Sequence, residues 1–512
     1  MRPILVLAAA AVLSVPLAVA PLSVAWAQAN PPKTLRIGIA DDADALDPTL
    51  SRTLVGRFVF ASLCDKLVDI DAKLTIVPQL AASYRWIDSK TLEFKLRPNV
   101  KFQDGTALDA EAVKFNMNRH LTMPGSTRKG EIGGLDHVDV VDPLTVRMVL
   151  KAPNAPFLAQ LTDRAGMMVS PKAATAAGAN FGQHPVCAGP FSFTERVPQD
   201  RIVLDKFAGY WDVGNVHVNR VVYQPITDDT VRLADLRAGA LEMAERIAPT
   251  DVAQVKADPK LTLAIFDGLG YQSINFNVGN FKQPRTAMMR DARVRQAFAL
   301  SIDRDAINQV VYNGLVTPIA QPVPPNSPFY DPAIKPPGRD IAKAKALLAA
   351  AGVTTPLTVE LMVPNSPLLK QTGEVIQAMA AEAGFVVKLR VIEFVTALKA
   401  ETDGDFEMFL IGWSGRADAD GNLYNFIHTG ASLNDTHYSN KDVDALLEQT
   451  RLATDVAARR ALYGKIATQS NLDLPIMYLY SPKVMIGMSA KVGGFTPIAD
   501  GLVRTKGLTL GQ

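Results

Sequence analysis

Two cysteines and six histidines in 512 residues leave little material for metal or thiol chemistry. The histidines (His120, His137, His184, His217, His428, His437) are scattered, with no HExxH pair and no cysteines at zinc spacing. GxSxG, GxxxxGK and GxGxxG are all missing, which removes the signatures of serine acyl transfer, phosphate cradling and dinucleotide binding. His184 stands three residues before Cys187, but catalytic partners meet through the fold rather than along the chain, so a structural cysteine is the stronger reading. The formal net charge is only +2, and no basic cluster carries interleaved aromatics, which argues against a nucleic-acid partner. No repeat or low-complexity linker divides the chain. After the N-terminus there is no second long apolar run.

What is present starts with an export signal. Arg2 precedes a long apolar run from Ile4 to Val24, and Ala25-Trp26-Ala27 or Ala27-Gln28-Ala29 offers a small-x-small cleavage site. The run is long enough to span a bilayer as an anchor. Pro16, Pro21 and the alanines favour a cleaved signal peptide over residues 1–29 instead. No cysteine lies at this site, so a lipid-anchored form is excluded. A soluble exported chain is expected, with 48% apolar residues to fill a core divided into domains.

Residues Val77 to Phe115, VPQLAASYRWIDSKTLEFKLRPNVKFQDGTALDAEAVKF, carry the most information. Leu92, Phe94 and Leu96 alternate with Glu93, Lys95 and Arg97 as in a half-buried antiparallel strand. Pro98-Asn99 and Asp104-Gly105 are turn pairs bracketing Val100-Lys101-Phe102 as a short strand. Asp109 is placed to cap a helix with Ala110, Val113 and Met117 at helical spacing. This block resembles the family 5 solute-binding proteins of ABC importers, the peptide- and nickel-binding group. The "LDP" of Leu46-Asp47-Pro48, Cys187-Ala188-Gly189-Pro190-Phe191, Tyr210-Trp211 and DARVRQAFALSIDRDAI from Asp291 also match family segments. The resemblance covers nearly all of the mature chain. It implies a two-lobed α/β periplasmic-binding-protein fold (type II) with an extra subdomain in the first lobe and a ligand cleft between the lobes. The expected divisions are lobe I over 30–278, with the subdomain at about 66–185, lobe II over 279–480, and a return to lobe I over 481–512.

The local pattern agrees with that division. Thr34 to Ile39 reads as a strand, and Thr227 to Leu236 as a helix stopped by Gly239. Helices at Asp340–Ala351 and Gln371–Ala383 then alternate with strands at Leu357–Val363, Val386–Val391 and Met408–Trp413, which predicts a substantially parallel sheet. Ile476–Tyr480 and Val484–Met488 read as two further strands. Pro318 to Pro337 reads as an ordered loop. Cys64 and Cys187 can be buried free thiols or, in an oxidising compartment, a pair. Family members usually carry other residues at both positions, and the joint appearance of two cysteines favours a disulfide. Closing so long a loop is worth roughly 4 to 5 kcal/mol on the chain-entropy model.

Candidate binding residues cluster after the strand MFLIGW. Trp413 offers an aromatic wall, Gly412 and Gly415 permit close backbone approach, and Arg416 and Asp418 supply charge at the carboxyl end of a buried strand. Peptide-binding relatives often carry Asp where this chain has Arg416, so Arg416 is expected to hold a ligand carboxylate or phosphate, or Asp418 to hold an amine. The resemblance adds Ala45 and Leu46 from the opposite lobe. Tyr271 and Gln272 are further lining candidates. These features predict a periplasmic solute-binding protein without catalysis, cofactor or bound metal. It would be a monomer that captures a small peptide or peptide-like solute by cleft closure and passes it to ABC permease subunits in the inner membrane. The alternatives are a non-peptide anionic solute such as glutathione or an opine, a nickel chelate, and last a secreted hydrolase using Asp418 and Asp420.

Overall fold

The computed structural model describes residues 33–282 and 284–511; the expected signal peptide lies outside them. The opening strand, Thr34–Ile39, buries Leu35, Ile37 and Ile39 and lies parallel to both Arg220–Pro225 and Met243–Glu245. The sheet continues outward through Arg201–Lys206 and Phe191–Val197 in antiparallel register. Helix Leu54–Leu63, capped by Thr53, packs Phe58, Val59 and Phe60 into the same core. The first lobe is built around this cluster, and Leu502, Val503 and Leu508 of the C-terminal segment return to it.

The subdomain is a four-stranded antiparallel sheet in the order Ala81–Trp86, Thr91–Leu96, Thr145–Leu150, Leu135–Asp142. Leu92, Phe94 and Leu96 point into its core as their alternation predicts. Glu93 breaks the alternation: it is also buried, and both its oxygens take guanidinium partners, from Arg85 and Arg147. Helix Ala110–Thr122 is capped by Asp109, whose Oδ1 accepts from the Ala112 amide at 2.9 Å. The strand expected at Val100–Phe102 is reduced to a single bridge between Lys101 and Ala107, because the Asp104-Gly105 turn reverses the chain at once.

Cys64, at the end of helix Leu54–Leu63, is bonded to Cys187 across 123 positions of chain. Both cysteines sit in the first-lobe core.

In the second lobe Leu357–Pro364 runs parallel to Phe385–Ile392 and to Met408–Trp413. Met408–Trp413 then pairs antiparallel with Tyr271–Phe276. The sheet is therefore mixed rather than substantially parallel. Only the strands joined by helices Pro367–Ala381 and Phe394–Thr402 have the crossovers that a parallel pairing needs. Tyr271–Phe276 has second-lobe partners on both sides, ahead of the division expected at 278. The two strands expected after residue 476 are one 14-residue strand, Ile476–Ser489. Its first half pairs with Tyr271–Phe276 and its second half with Leu261–Asp267 and Met243–Glu245. This strand and the segment Asp267–Tyr271 carry the chain between the lobes. The Pro-rich segment is ordered, with the Gln321 amide exchanging two hydrogen bonds with the Asp331 backbone.

Candidate functional site between the lobes

Two glycines allow the interlobe crossing to lie against the loop after Met408–Trp413. A Cβ on Gly270 would stand 2.2 Å from the Trp413 carbonyl oxygen, and one on Gly415 would stand 2.2 Å from the Leu269 carbonyl. Gly415 also has φ +80°, a left-handed conformation that suits only glycine without strain. Beside this junction lies a cavity of about 300 Å³. Asp41, Arg52, Phe58 and Arg246 of the first lobe line it, and Tyr271, Gln272, Trp413, Glu401 and Asp435 of the second face them.

Several contacts hold the lobes closed over the cavity. Arg57 donates to Ser414 Oγ (3.0 Å), Arg52 to Asp435 (2.5 Å), Gln160 to Asp420 (2.8 Å) and Arg451 to the Gly130 carbonyl (2.9 Å).

Three of the expected residues meet at the cavity. The Trp413 indole donates to the Gly421 carbonyl and to Asn422 Oδ1, both at 3.1 Å, which fixes the ring edge-on to Phe426. Tyr271 stands edge-on to Tyr478 at 4.9 Å, and Gln272 lies beside it on the same strand.

The other four are placed elsewhere. Leu46 is buried in the first-lobe core, and neither it nor Ala45 lines the cavity. The acidic loop around them is a scaffold: Asp44 accepts from Ser51, the Arg52 amide and Thr53, and Asp47 holds Arg119 through both oxygens. Asp418 is occupied by Arg459, two parallel bonds of 2.7 Å, and so is not available to a ligand amine. Arg416 is buried, with its guanidinium over the Trp413 ring at 4.4 Å and Nε 3.3 Å from Asp163 of the first lobe. Its anionic partner is therefore a residue of this chain. Burial first, and then Arg57, push the Arg416 guanidinium down to about 10, while the neighbouring guanidiniums hold Asp163 well below the usual carboxylate range against its burial.

The charged groups that do face the cavity are ones the sequence pattern did not single out. Glu401 is 2% exposed; its Oε1 accepts from Asn275 at 2.8 Å, and its other oxygen has no hydrogen-bond partner among the described residues. Burial, reinforced by the Asp435 charge and opposed by Arg52, pushes the Glu401 carboxyl up to about 8. On the first-lobe wall Arg246 lies 3.5 Å from Asp41, whose carboxyl is raised by burial. Arg246 itself has φ +52°, which is uncommon for a non-glycine residue and marks local strain at the cavity. One signal for Glu401 is present in the sequence. In FVTALKAET it shares the buried face of its helix with Ala397 and Leu398, and a carboxylate on an apolar stripe has to be explained. Asp435 and Arg246 lie in segments without periodicity and carry no such mark.

Among the described residues no helix is long and apolar enough to cross a membrane, and no three His, Cys, Asp or Glu side chains are grouped to hold a metal ion.

Known proteins share both the sequence pattern and the fold. Residues 75–434 match the model of the bacterial extracellular solute-binding proteins, family 5 (middle). The chain is 30% identical over 482 residues to the glutathione-binding protein GsiB of Pectobacterium atrosepticum, covering 91% of this chain and 92% of that one. It superposes on AgaA of A. tumefaciens R10, solved with agropinic acid, with a TM-score of 0.85, 26% identity and coverage of 94% and 99%. It also superposes on the periplasmic binding protein DppA of Helicobacter pylori, solved with the peptide STSA, with a TM-score of 0.86, 25% identity and coverage of 94% and 98%. The family consists of solute-binding proteins rather than enzymes. From the matched residues, the shared two-lobed fold and the cleft between its lobes, the chain belongs to the bacterial extracellular solute-binding proteins of family 5, the periplasmic components of ABC importers that bind a peptide or other small solute and deliver it to the membrane permease.

Proposed function

We propose that this protein captures a short peptide or peptide-like solute bearing both a free amine and a carboxylate, and that it acts without catalysing any reaction on it. The observation that supports this reading is the cavity between the lobes with charges of both signs on its walls. Glu401 and Asp435 supply carboxylates beside Arg52 on one side; elsewhere in the lining Arg246 stands against Asp41 and Glu245, and Lys483 pairs with Asp267. An ammonium group against Glu401 would stabilise the carboxylate that burial disfavours, and a solute carboxylate would share the half-exposed Arg246 guanidinium with Asp41 and Glu245. About 300 Å³ lies at the small end of ligand pockets, which favours a solute of a few residues over a long peptide. Tyr271 and Trp413 add flat apolar walls for a side chain or backbone.

A second reading, a solute with more carboxylates than a plain dipeptide, is favoured by the relatives that bind glutathione and agropinic acid. Replacement of the usual Asp by Arg416 does not itself support that reading, since Arg416 is paired with Asp163.

Mass spectrometry of whatever is released on denaturing the native protein tests the proposal, followed by thermal-shift measurements with that compound, with glutathione and with dipeptides. The expected result is an unmodified solute with an amine and a carboxylate that raises the melting temperature. Conversion of the added compound into a product, or stabilisation only by solutes lacking an amine, would contradict it.

A further inference from the structure

A second charged cluster at the lobe interface is not accounted for by solute binding. Asp163 stands at its centre and touches three guanidiniums: Arg57 Nη2 at 2.5 Å, Arg164 Nε at 3.3 Å and Arg416 Nε at 3.3 Å. Arg128 lies alongside and pairs with Glu131. All six side chains are buried, so four guanidiniums are opposed by two carboxylates. The nearby acids do not make up the difference. Asp44 is engaged by Ser51, Thr53 and the Arg52 amide; Asp47 is paired with Arg119, and Asp420 with Arg451. His120 is neutral there, because burial and then Arg128 and Arg119 push it down to about 3.

The donors are also incompletely used. Arg57 Nε, Arg164 Nη2 and Arg416 Nη2 are each shielded from solvent and have no acceptor among the described residues. Burying excess positive charge with unused N–H groups is costly unless an anion compensates both. A water molecule would accept a hydrogen bond and leave the charge unchanged. None of these three arginines, nor Asp163, lines the solute cavity, so the solute's own carboxylate is not placed to reach them.

We infer that the closed interface binds a small inorganic anion, chloride in ordinary media, between Arg57 and Arg164 of the first lobe and Arg416 of the second. Because the donors come from both lobes, the anion is held only when the lobes close. Anion and solute therefore strengthen each other's binding reciprocally.

The test uses bromide as a heavy chloride. Crystals of the closed protein grown in sodium bromide should show an anomalous peak in contact with at least two of the three guanidiniums. In solution, with the protein carrying its native solute so that the lobes are closed, sodium chloride should raise the melting temperature by a few degrees over sodium gluconate at equal ionic strength, since a ligand that binds only the folded state stabilises it. Arg416→Gln should abolish that difference; if this variant does not fold, the bromide peak and the wild-type salt comparison decide the matter. A closed structure with no bromide at the cluster would overturn the inference. So would a bromide peak without any chloride effect on melting, which means binding at crystal concentration only.

Discussion

The two charged clusters between the lobes differ in which partner they were built for. Around Asp163, the guanidiniums of Arg57, Arg164 and Arg416 converge on a carboxylate of the chain itself, sealed from the cavity. Around Glu401, one carboxylate oxygen is left without a partner on the cavity wall, with Asp435 and Arg52 beside it. Both clusters join residues of the two lobes, so both form on closure. The first holds the lobes together and the second presents charge to a solute. A charged residue in a recognisable loop thus reveals its chemistry without revealing whether its counterion is a ligand or another side chain.

The largest effect expected from this contrast is on folding. Asp163→Asn keeps the shape and removes the carboxylate that touches three buried guanidiniums, which should cost about 3–5 kcal/mol in urea unfolding. If this change costs no more than Glu401→Gln, the Asp163 cluster is not the structural one. Next in size, Glu401→Gln should weaken binding of the native solute about 10- to 100-fold by calorimetry, roughly 1.4–2.8 kcal/mol, with little loss of stability. A third effect separates the clusters by pH. Glu401 titrates near 8 in the folded protein against an ordinary 4.5, so the folded state binds its proton more tightly. The stabilisation is therefore complete below about 4.5 and is lost as pH rises through 8. The ligand-free wild type should lose at least about 1 kcal/mol relative to Glu401→Gln between these limits, because each tenfold gain in proton affinity on folding is worth about 1.4 kcal/mol. Parallel pH–stability curves for the two proteins would remove Glu401 from the account. The smallest effect belongs to Arg416→Ala, which should lower affinity less than tenfold through weaker closure, and equally for every solute tested. A selective loss for carboxylate-rich solutes would return Arg416 to the ligand.

The difference between the clusters also explains what could be read from the sequence. The strand at Thr91–Leu96, the helix capped by Asp109 and the strand ending at Trp413 follow from side-chain periodicity and turn residues, which are local properties. The Cys64–Cys187 pairing is legible from two unusual residues occurring together, although 123 positions of chain separate them. The mixed sheet of the second lobe was not legible, because Tyr271–Phe276 inserts beside Met408–Trp413 from far upstream. The same limit applied at the site. Arg416 and Asp418 look alike as free charges in a loop, and their partners Asp163 and Arg459 lie 253 and 41 positions away. Glu401 left a faint trace as an acid on a buried helical face. Asp435 and Arg246 left none, because their role depends on where the closed lobes meet.

The central claim is that the solute rests against Glu401 while Arg416 closes the lobes. Titrating the solute recovered from the native protein into wild type, Glu401→Gln and Arg416→Ala in one calorimetric series tests it most directly. The account predicts at least a tenfold loss of affinity for Glu401→Gln and a smaller one for Arg416→Ala. Unchanged binding in Glu401→Gln together with a large loss in Arg416→Ala would contradict it.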